Sequence, residues 1–142
     1  MIENNSNRSV DLNSGLGRYL KPEAQKKLSS AIIGIAGAGG LGSNVAAHLV
    51  RSGVKNFVIA DFDRIEASNL NRQFFFHDQI GKLKVDALAE NLLRIAPDIK
   101  LKLYPEKLTY GNTVQIFEGC SAIVEAFDDP KSKVKYTKAG FE

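Results

Sequence analysis

The stretch AIIGIAGAGGLGSNVAAHLVRSG, residues 31–53, passes from an unbroken apolar run through a cluster of glycines into a helical pattern. A short continuous apolar run such as AIIGIAG (31–37) marks a strand buried on both faces. LGSNVAAHLVRSG (41–53) reads as a helix, with Val45, Leu49 and Gly53 fitting a packed helix that ends on glycine. Between the two, GAGGLG (37–42) matches G-x-G-x-x-G in the strand-to-helix setting where that pattern signals phosphate binding. Gly37 allows the tight turn, Gly39 lets a phosphate approach the backbone, and Gly42 lets helix and strand pack closely. The helix N-terminus that follows supplies free N–H groups and partial positive charge. A turn that merely needed positive φ would not call for three glycines at this spacing.

Outward from this unit the alternation continues. NFVIAD (56–61) is a second buried strand. Val85, Leu88, Leu92 and Ile95 mark one face of a helix stopped by Pro97. IKLKLY (99–104) alternates and reads as a less buried or edge strand. Residues 112–118 form a short helix, AIVEAF (122–127) is another buried strand, and residues 131–141 look helical. Before the first strand, Pro22 opens a short helix to about Leu28. The order β-α-β-loop-α-β-α-β-α predicts an α/β, Rossmann-like fold, a mostly parallel sheet with helices on both faces. Residues 1–20, rich in Asn, Ser and Gly, read as a flexible arm, and 21–142 as the nucleotide-binding domain. The chain ends on a helix with no closing element. A truncated domain, or one completed by another chain, is therefore expected.

Composition narrows the class. With 142 residues, 44% hydrophobic and 25% charged, the chain suits one soluble domain with a proper core. A net charge of +3 without a dense basic block gives no sign of nucleic-acid or membrane binding. The single cysteine, Cys120, excludes an internal disulfide and a cysteine-based zinc site. No apolar run is long enough to span a bilayer and no signal peptide is visible, so a cytoplasmic protein is expected.

The loop DFDRIEASNLNRQFF (61–75) carries more chemistry than solubility requires. Asp61 closes the second strand, where a carboxylate commonly accepts hydrogen bonds from ribose hydroxyls. To this point an NAD-dependent oxidoreductase and an ATP-using enzyme are equally served. Asp63, Asn69, Arg72 and Gln73 lie outside the dinucleotide fingerprint. Lys84, in the first turn of the next helix, opposes the helix dipole by about 0.3–1 kcal/mol if exposed. A polyphosphate facing it explains that placement better than solvent does. Asp128 lies past the fourth strand, at the edge where such sheets bind ligands, and is a suitable Mg²⁺ ligand. Its neighbour Asp129 is explained as an N-cap before Pro130.

GAGGLGS, DFDRIEASNLNRQ, GKLK and EAFDD together resemble the ThiF/MoeB/HesA family of adenylyltransferases, relatives of ubiquitin-activating enzymes. The resemblance covers roughly residues 25–130. The short EAFDD variant is similar to the compact ThiF-like branch. It implies ATP-dependent adenylation of the C-terminal glycine of a small ubiquitin-like sulfur carrier protein, ThiS-like and serving thiamine biosynthesis, with Mg²⁺ and ATP as cofactors and a homodimer as the working form. On this basis Gly37, Gly39, Gly40 and Gly42 form the phosphate loop and Asp61 holds the ribose. Asn69, Arg72 and Lys84 contact phosphates, Asp128 positions Mg²⁺, and Asp63 belongs to the nucleotide motif without a sharp role. Arg72, Lys84 and Asp128 are the expected catalytic set. Relatives donate an N-terminal arginine to a partner subunit. Asn13 stands at the matching position here, with Arg18 and Arg8 nearby, and none is assigned that role.

The remaining chemical side chains have plainer readings. Cys120 is a small buried hydrophobe, and His48 and His77 are structural. Phe74, Phe75 and Phe76 pack or form a subunit contact, and Glu125, inside a strand, bonds to nearby backbone amides. Two other functions compete with adenylation. An NAD-binding oxidoreductase shares the glycine loop and Asp61 but gives no reason for Asn69, Arg72, Lys84 and Asp128 together. A non-catalytic partner or scaffold fragment would keep the fold alone.

Overall fold

The computed structural model describes residues 8–128. Four strands, β1 (Ile32–Ala36), β2 (Asn56–Ala60), β3 (Lys100–Tyr104) and β4 (Ala122–Glu125), form one parallel sheet in the order β3-β2-β1-β4. Their connections run through α3 (Gly40–Arg51), α4 (Lys84–Ile95) and α5 (Tyr110–Ile116), and α1 (Arg8–Leu16) and α2 (Pro22–Ser30) precede the sheet. Parallel neighbours need crossover connections, which is why β1, β2 and β3 are each followed by a helix before the next strand. The central register sets Ile35 beside Ile59 and Val124. The carboxyl ends of β1, β2 and β4 thus finish together, at Ala36, Ala60 and Glu125.

Two apolar clusters lie on opposite faces of the sheet. On one, Ile35, Phe57 and Ile59 meet Ala46, Ala47 and Val50 of α3 and Val85, Leu88 and Leu92 of α4. On the other, Ala36, Val58 and Ala60 meet Ile116 and Phe117 at the end of α5. The expected helix-covered parallel sheet is what forms. The buried seam of α3 is Gly42, Ser43, Ala46, Ala47 and Val50, whereas Val45 and Leu49 are only half-buried. Small residues face the sheet because the glycine loop brings this helix close to it.

Four expectations need correction. Within the stretch read as a flexible arm, Arg8–Leu16 is helical, Leu12 packs on the first cluster, and a side chain at Gly53 would begin 3.1 Å from Leu16. That contact is long-range and leaves no periodic mark in a polar segment. β4 is less buried than its apolar sequence implies: Ala122 is exposed and the rest half-buried. Among the described residues β1 is its one strand neighbour, so one edge of β4 lies open. The three phenylalanines separate: Phe75 is in the core, Phe74 packs edge-on to Phe76 at 5.8 Å, and Phe76 is exposed beneath the Arg94 guanidinium. Cys120 is only half-buried, although burial still pushes its thiol up. The helix expected at 131–141, with Asp129 and Pro130, lies outside the described residues. No helix among those described is long and apolar enough to cross a membrane.

The glycine loop behaves as its spacing demands. Gly37 has φ +102°, where L side chains are strained. A side chain at Gly42 would overlap the Gly37 carbonyl, whereas one at Gly40 would meet only the Arg72 Cγ, at 3.6 Å. Gly42→Ala is therefore expected to cost about 3 kcal/mol or more in urea denaturation, through overpacking against backbone. Gly40→Ala should stay within about 1 kcal/mol of wild type. Equal stability of the two variants would contradict the packing described.

Candidate nucleotide-binding site

A cleft of about 280 Å³ opens at the carboxyl ends of the strands. Gly37, Gly39, Asp61, Asp63, Lys84 and Asp128 line it, so six of the residues singled out from sequence meet in one place. Phe62, Glu106, Lys107, Leu108, Ala126 and Phe127 complete the wall.

Asp61 organises the centre. One carboxylate oxygen, Oδ2, accepts the Ala38 N–H of the glycine loop at 2.7 Å. The other, Oδ1, accepts the Asp63 N–H at 2.8 Å. The side chain that closes β2 thus ties the phosphate loop to the loop that follows. Burial raises the Asp61 pKa, and the two backbone hydrogen bonds and nearby Lys84 only partly offset this.

Lys84 begins α4, and its side chain is 8% exposed. Its backbone N–H donates to the Asp63 carbonyl at 2.9 Å, and its ammonium lies 3.4 Å from the Asp63 carboxylate. A solvated lysine would not be buried in a cleft. The position costs helix-dipole and desolvation energy, and the long contact to Asp63 repays only part of it.

Two hydrogen-bonded side chains at the start of α3 hold the 66–76 loop against the glycines. Ser43 Oγ donates to the Gly39 carbonyl at 2.5 Å and accepts the Phe74 N–H at 3.0 Å. Asn44 Nδ2 donates to the carbonyls of Gly40 at 2.6 Å and Arg72 at 2.8 Å. Arg72 consequently lies across Gly40. Its guanidinium donates to Ser68 and Asn71 and has no carboxylate partner among the described residues. Arg72 and Asn69 lie beside the cleft and do not line it. Asn69 Oδ1 accepts the Glu66 N–H at 2.8 Å and closes the turn at Ala67–Asn71. From the other side, Asn91 and Gln79 brace the loop: Asn91 Nδ2 donates to the Phe74 carbonyl and Gln79 Oε1 accepts the Phe76 N–H.

Glu125 accepts the Phe127 N–H at 2.8 Å, the backbone role expected of it, and so shapes the chain just before Asp128. His48 and His77 are exposed and away from the cleft. The sequence reading missed Phe62, Glu106, Lys107 and Leu108. The Lys107 ammonium lies 5.5 Å from the Phe62 ring centre, a cation–π pair at the mouth. No spacing pattern marks residues 105–109, because the β3–α5 loop reaches the cleft only through the fold. Ser43 and Asn44 were also missed, although their position just after the glycines is a usable signal.

The lining carries four carboxylates, Asp61, Asp63, Glu106 and Asp128, against two ammonium groups, Lys84 and Lys107. A polyphosphate entering alone would be repelled. One that arrives with a divalent cation would not, and Mg²⁺ needs only one or two protein carboxylates beside phosphate oxygens. Asp128 fits that donor role: its Oδ2 lies 3.7 Å from where a side chain at Gly39 would begin.

The sequence matches the ThiF family over residues 12–142, and the chain belongs to that family. It is 34% identical over 109 residues to the sulfur carrier protein adenylyltransferase of Thermus thermophilus, covering 76% of this chain and 40% of that one. It is 40% identical over 111 residues to the adenylyltransferase and sulfurtransferase UBA4 of Eremothecium gossypii, covering 77% and 25%. Among solved structures, the E. coli tRNA N6-threonylcarbamoyladenosine dehydratase TcdA in complex with ATP superposes with a TM-score of 0.82 at 28% identity, over 87% of this chain and 51% of that one. The chain thus spans well under two thirds of these relatives.

The raised pKa of Asp61 gives a pH prediction. Its folded value lies above the ordinary aspartate value of about 3.9. This carboxyl therefore favours the fold most below about pH 4, and that contribution is lost as pH rises through the raised value. Carboxyl-carbon NMR titration should show Asp61 titrating above the exposed aspartates. Titration at or below their midpoint would contradict the burial described.

Proposed function

We propose that this chain is the nucleotide-binding part of an ATP-dependent adenylyltransferase acting on the C-terminal carboxylate of a small ubiquitin-like carrier protein. The observation that carries the proposal is Lys84: a buried ammonium at the start of a helix, in the same cleft as the glycine loop and Asp61. A lysine held at that cost is accounted for by phosphates. The names of the relatives support the substrate class, since one is a sulfur carrier protein adenylyltransferase and others are ubiquitin-like modifier-activating enzymes.

In this reading the ribose hydroxyls donate to Asp61, whose carboxylate keeps acceptor capacity beyond its two backbone donors. The triphosphate runs along Gly37 to Gly40 toward the N–H groups of α3. The carrier carboxylate attacks the α-phosphorus, the bond to the bridging oxygen breaks, and pyrophosphate leaves. The carboxylate is already ionised, so no general base is needed. The protein aligns the reactants and neutralises charge. Arg72 and Lys84 serve the phosphates, and Asn69 adds its side-chain NH₂, which has no partner among the described residues. Asp128 would hold Mg²⁺, which spreads the phosphate charge.

The finer reading of a ThiS-like carrier and thiamine biosynthesis rests on the resemblance of the motifs alone, and the cytoplasmic location on the lack of a membrane-spanning run or visible signal peptide in the sequence. A twofold dimer is part of the same proposal, isologous interfaces being the commonest solution. With Phe75 in the core, exposed Phe76 is what remains of the aromatic support for it.

Arg72→Ala should lower pyrophosphate exchange into ATP, measured with a carrier protein at saturating substrates, by roughly 10²–10³ while the fold survives. A rate within twofold of wild type would make Arg72 a surface residue.

A further inference from the structure

Gln73 follows Arg72 in the loop over the glycines. It is 7% exposed, and its Oε1 is the one buried side-chain polar atom without a protein partner among the described residues. Buried amides are normally paired, so this placement is not explained by the stability of the fold. The other end of the amide points to a reason. Nε2 lies 3.7 Å from where a side chain at Gly39 would begin, the same distance from that point as Asp128 Oδ2. The space left by the missing side chain of Gly39 is therefore bordered by both an amide donor and a carboxylate.

The position is held on both sides. Asn44 fixes the carbonyl of Arg72 and Ser43 fixes the N–H of Phe74, the two residues that bracket Gln73. The Gln73 N–H donates to the Asn69 carbonyl and its own carbonyl accepts the Phe75 N–H. These contacts hold the backbone of Gln73 in place, and burial leaves its side chain little room.

We propose that Gln73 is a nucleotide-contacting residue: its side-chain NH₂ donates to the phosphate oxygen seated over Gly39, opposite the cation held by Asp128. This rests on the adenylyltransferase reading and adds a polar contact that is neutral. A neutral donor adds a directed hydrogen bond to a phosphate oxygen without adding charge beside the cation. A second consequence follows from the orphaned oxygen. In the free protein Gln73 is a burden on the fold, because a buried acceptor is left without a donor.

Gln73→Met tests both at once, since it keeps the length of the side chain and removes its polar atoms. With the full chain, calorimetric titration of ATP in the presence of Mg²⁺ should show affinity weakened about tenfold or more, the size expected for a hydrogen bond to a charged group. The melting temperature without nucleotide should be unchanged or higher. Gln73→Glu should weaken ATP at least as much, by setting a carboxylate against phosphate, and Gln73→Asn should recover part of the lost affinity. A Gln73→Met protein that binds ATP within twofold of wild type overturns the assignment. So does one whose affinity falls only together with its melting temperature, which would make Gln73 structural. If the wild-type chain itself binds no ATP, the adenylyltransferase reading fails and takes this assignment with it.

Discussion

The structure depends on one carboxylate with two backbone partners. Asp61 is the first residue after β2, and it accepts from Ala38 in one loop and Asp63 in the next. Those two contacts set the floor and one wall of the cleft. The Asp63 carbonyl then receives the first N–H of α4, so the same linkage continues to Lys84. A short path of hydrogen bonds thus connects the phosphate loop to the buried cation. The energetic cost is visible in Asp61, which burial holds above the usual carboxylate range. Most of a fold avoids such costs, and they gather at sites that bind or react.

The opposing terms around this linkage support the proposal that the cleft takes a nucleotide with its metal. Lys84 opposes the dipole of its own helix, and the carboxylates around it outnumber the ammonium groups. In the proposed reading a triphosphate would add anionic partners for Lys84 beyond its 3.4 Å contact to Asp63, and a divalent cation would offset the carboxylate of Asp128. The glycines make room for this exchange. Gly42 admits the helix against the Gly37 carbonyl, and Gly39 leaves a space bordered by Asp128 and Gln73.

Much of this was legible in the sequence because it is local. Apolar runs and helical periodicity located β1, β2, α3 and α4, and the glycine spacing located the phosphate loop. Lys84 and Asp128 stood out because of their positions at a helix start and past a strand end, and both line the cleft. What could not be read depends on contacts distant in sequence. Lys107 and Leu108 reach the cleft only after β3 and α5 pack on the sheet. Leu12 finds the core from a polar segment, and Phe75 turns inward while Phe76 does not. Gln73 was visible as part of a dense polar loop. Its burial and the unpaired oxygen that distinguish it appear only once Ser43 and Asn44 fix the loop in place.

The most direct measurement is a crystal structure of the chain with Mg²⁺ and a non-hydrolysable ATP analogue. The account predicts ribose hydroxyls on Asp61, phosphates against Gly39 within reach of Lys84, and the cation on Asp128. An analogue bound elsewhere, or one whose phosphates lie away from Gly39 and Lys84, would contradict it.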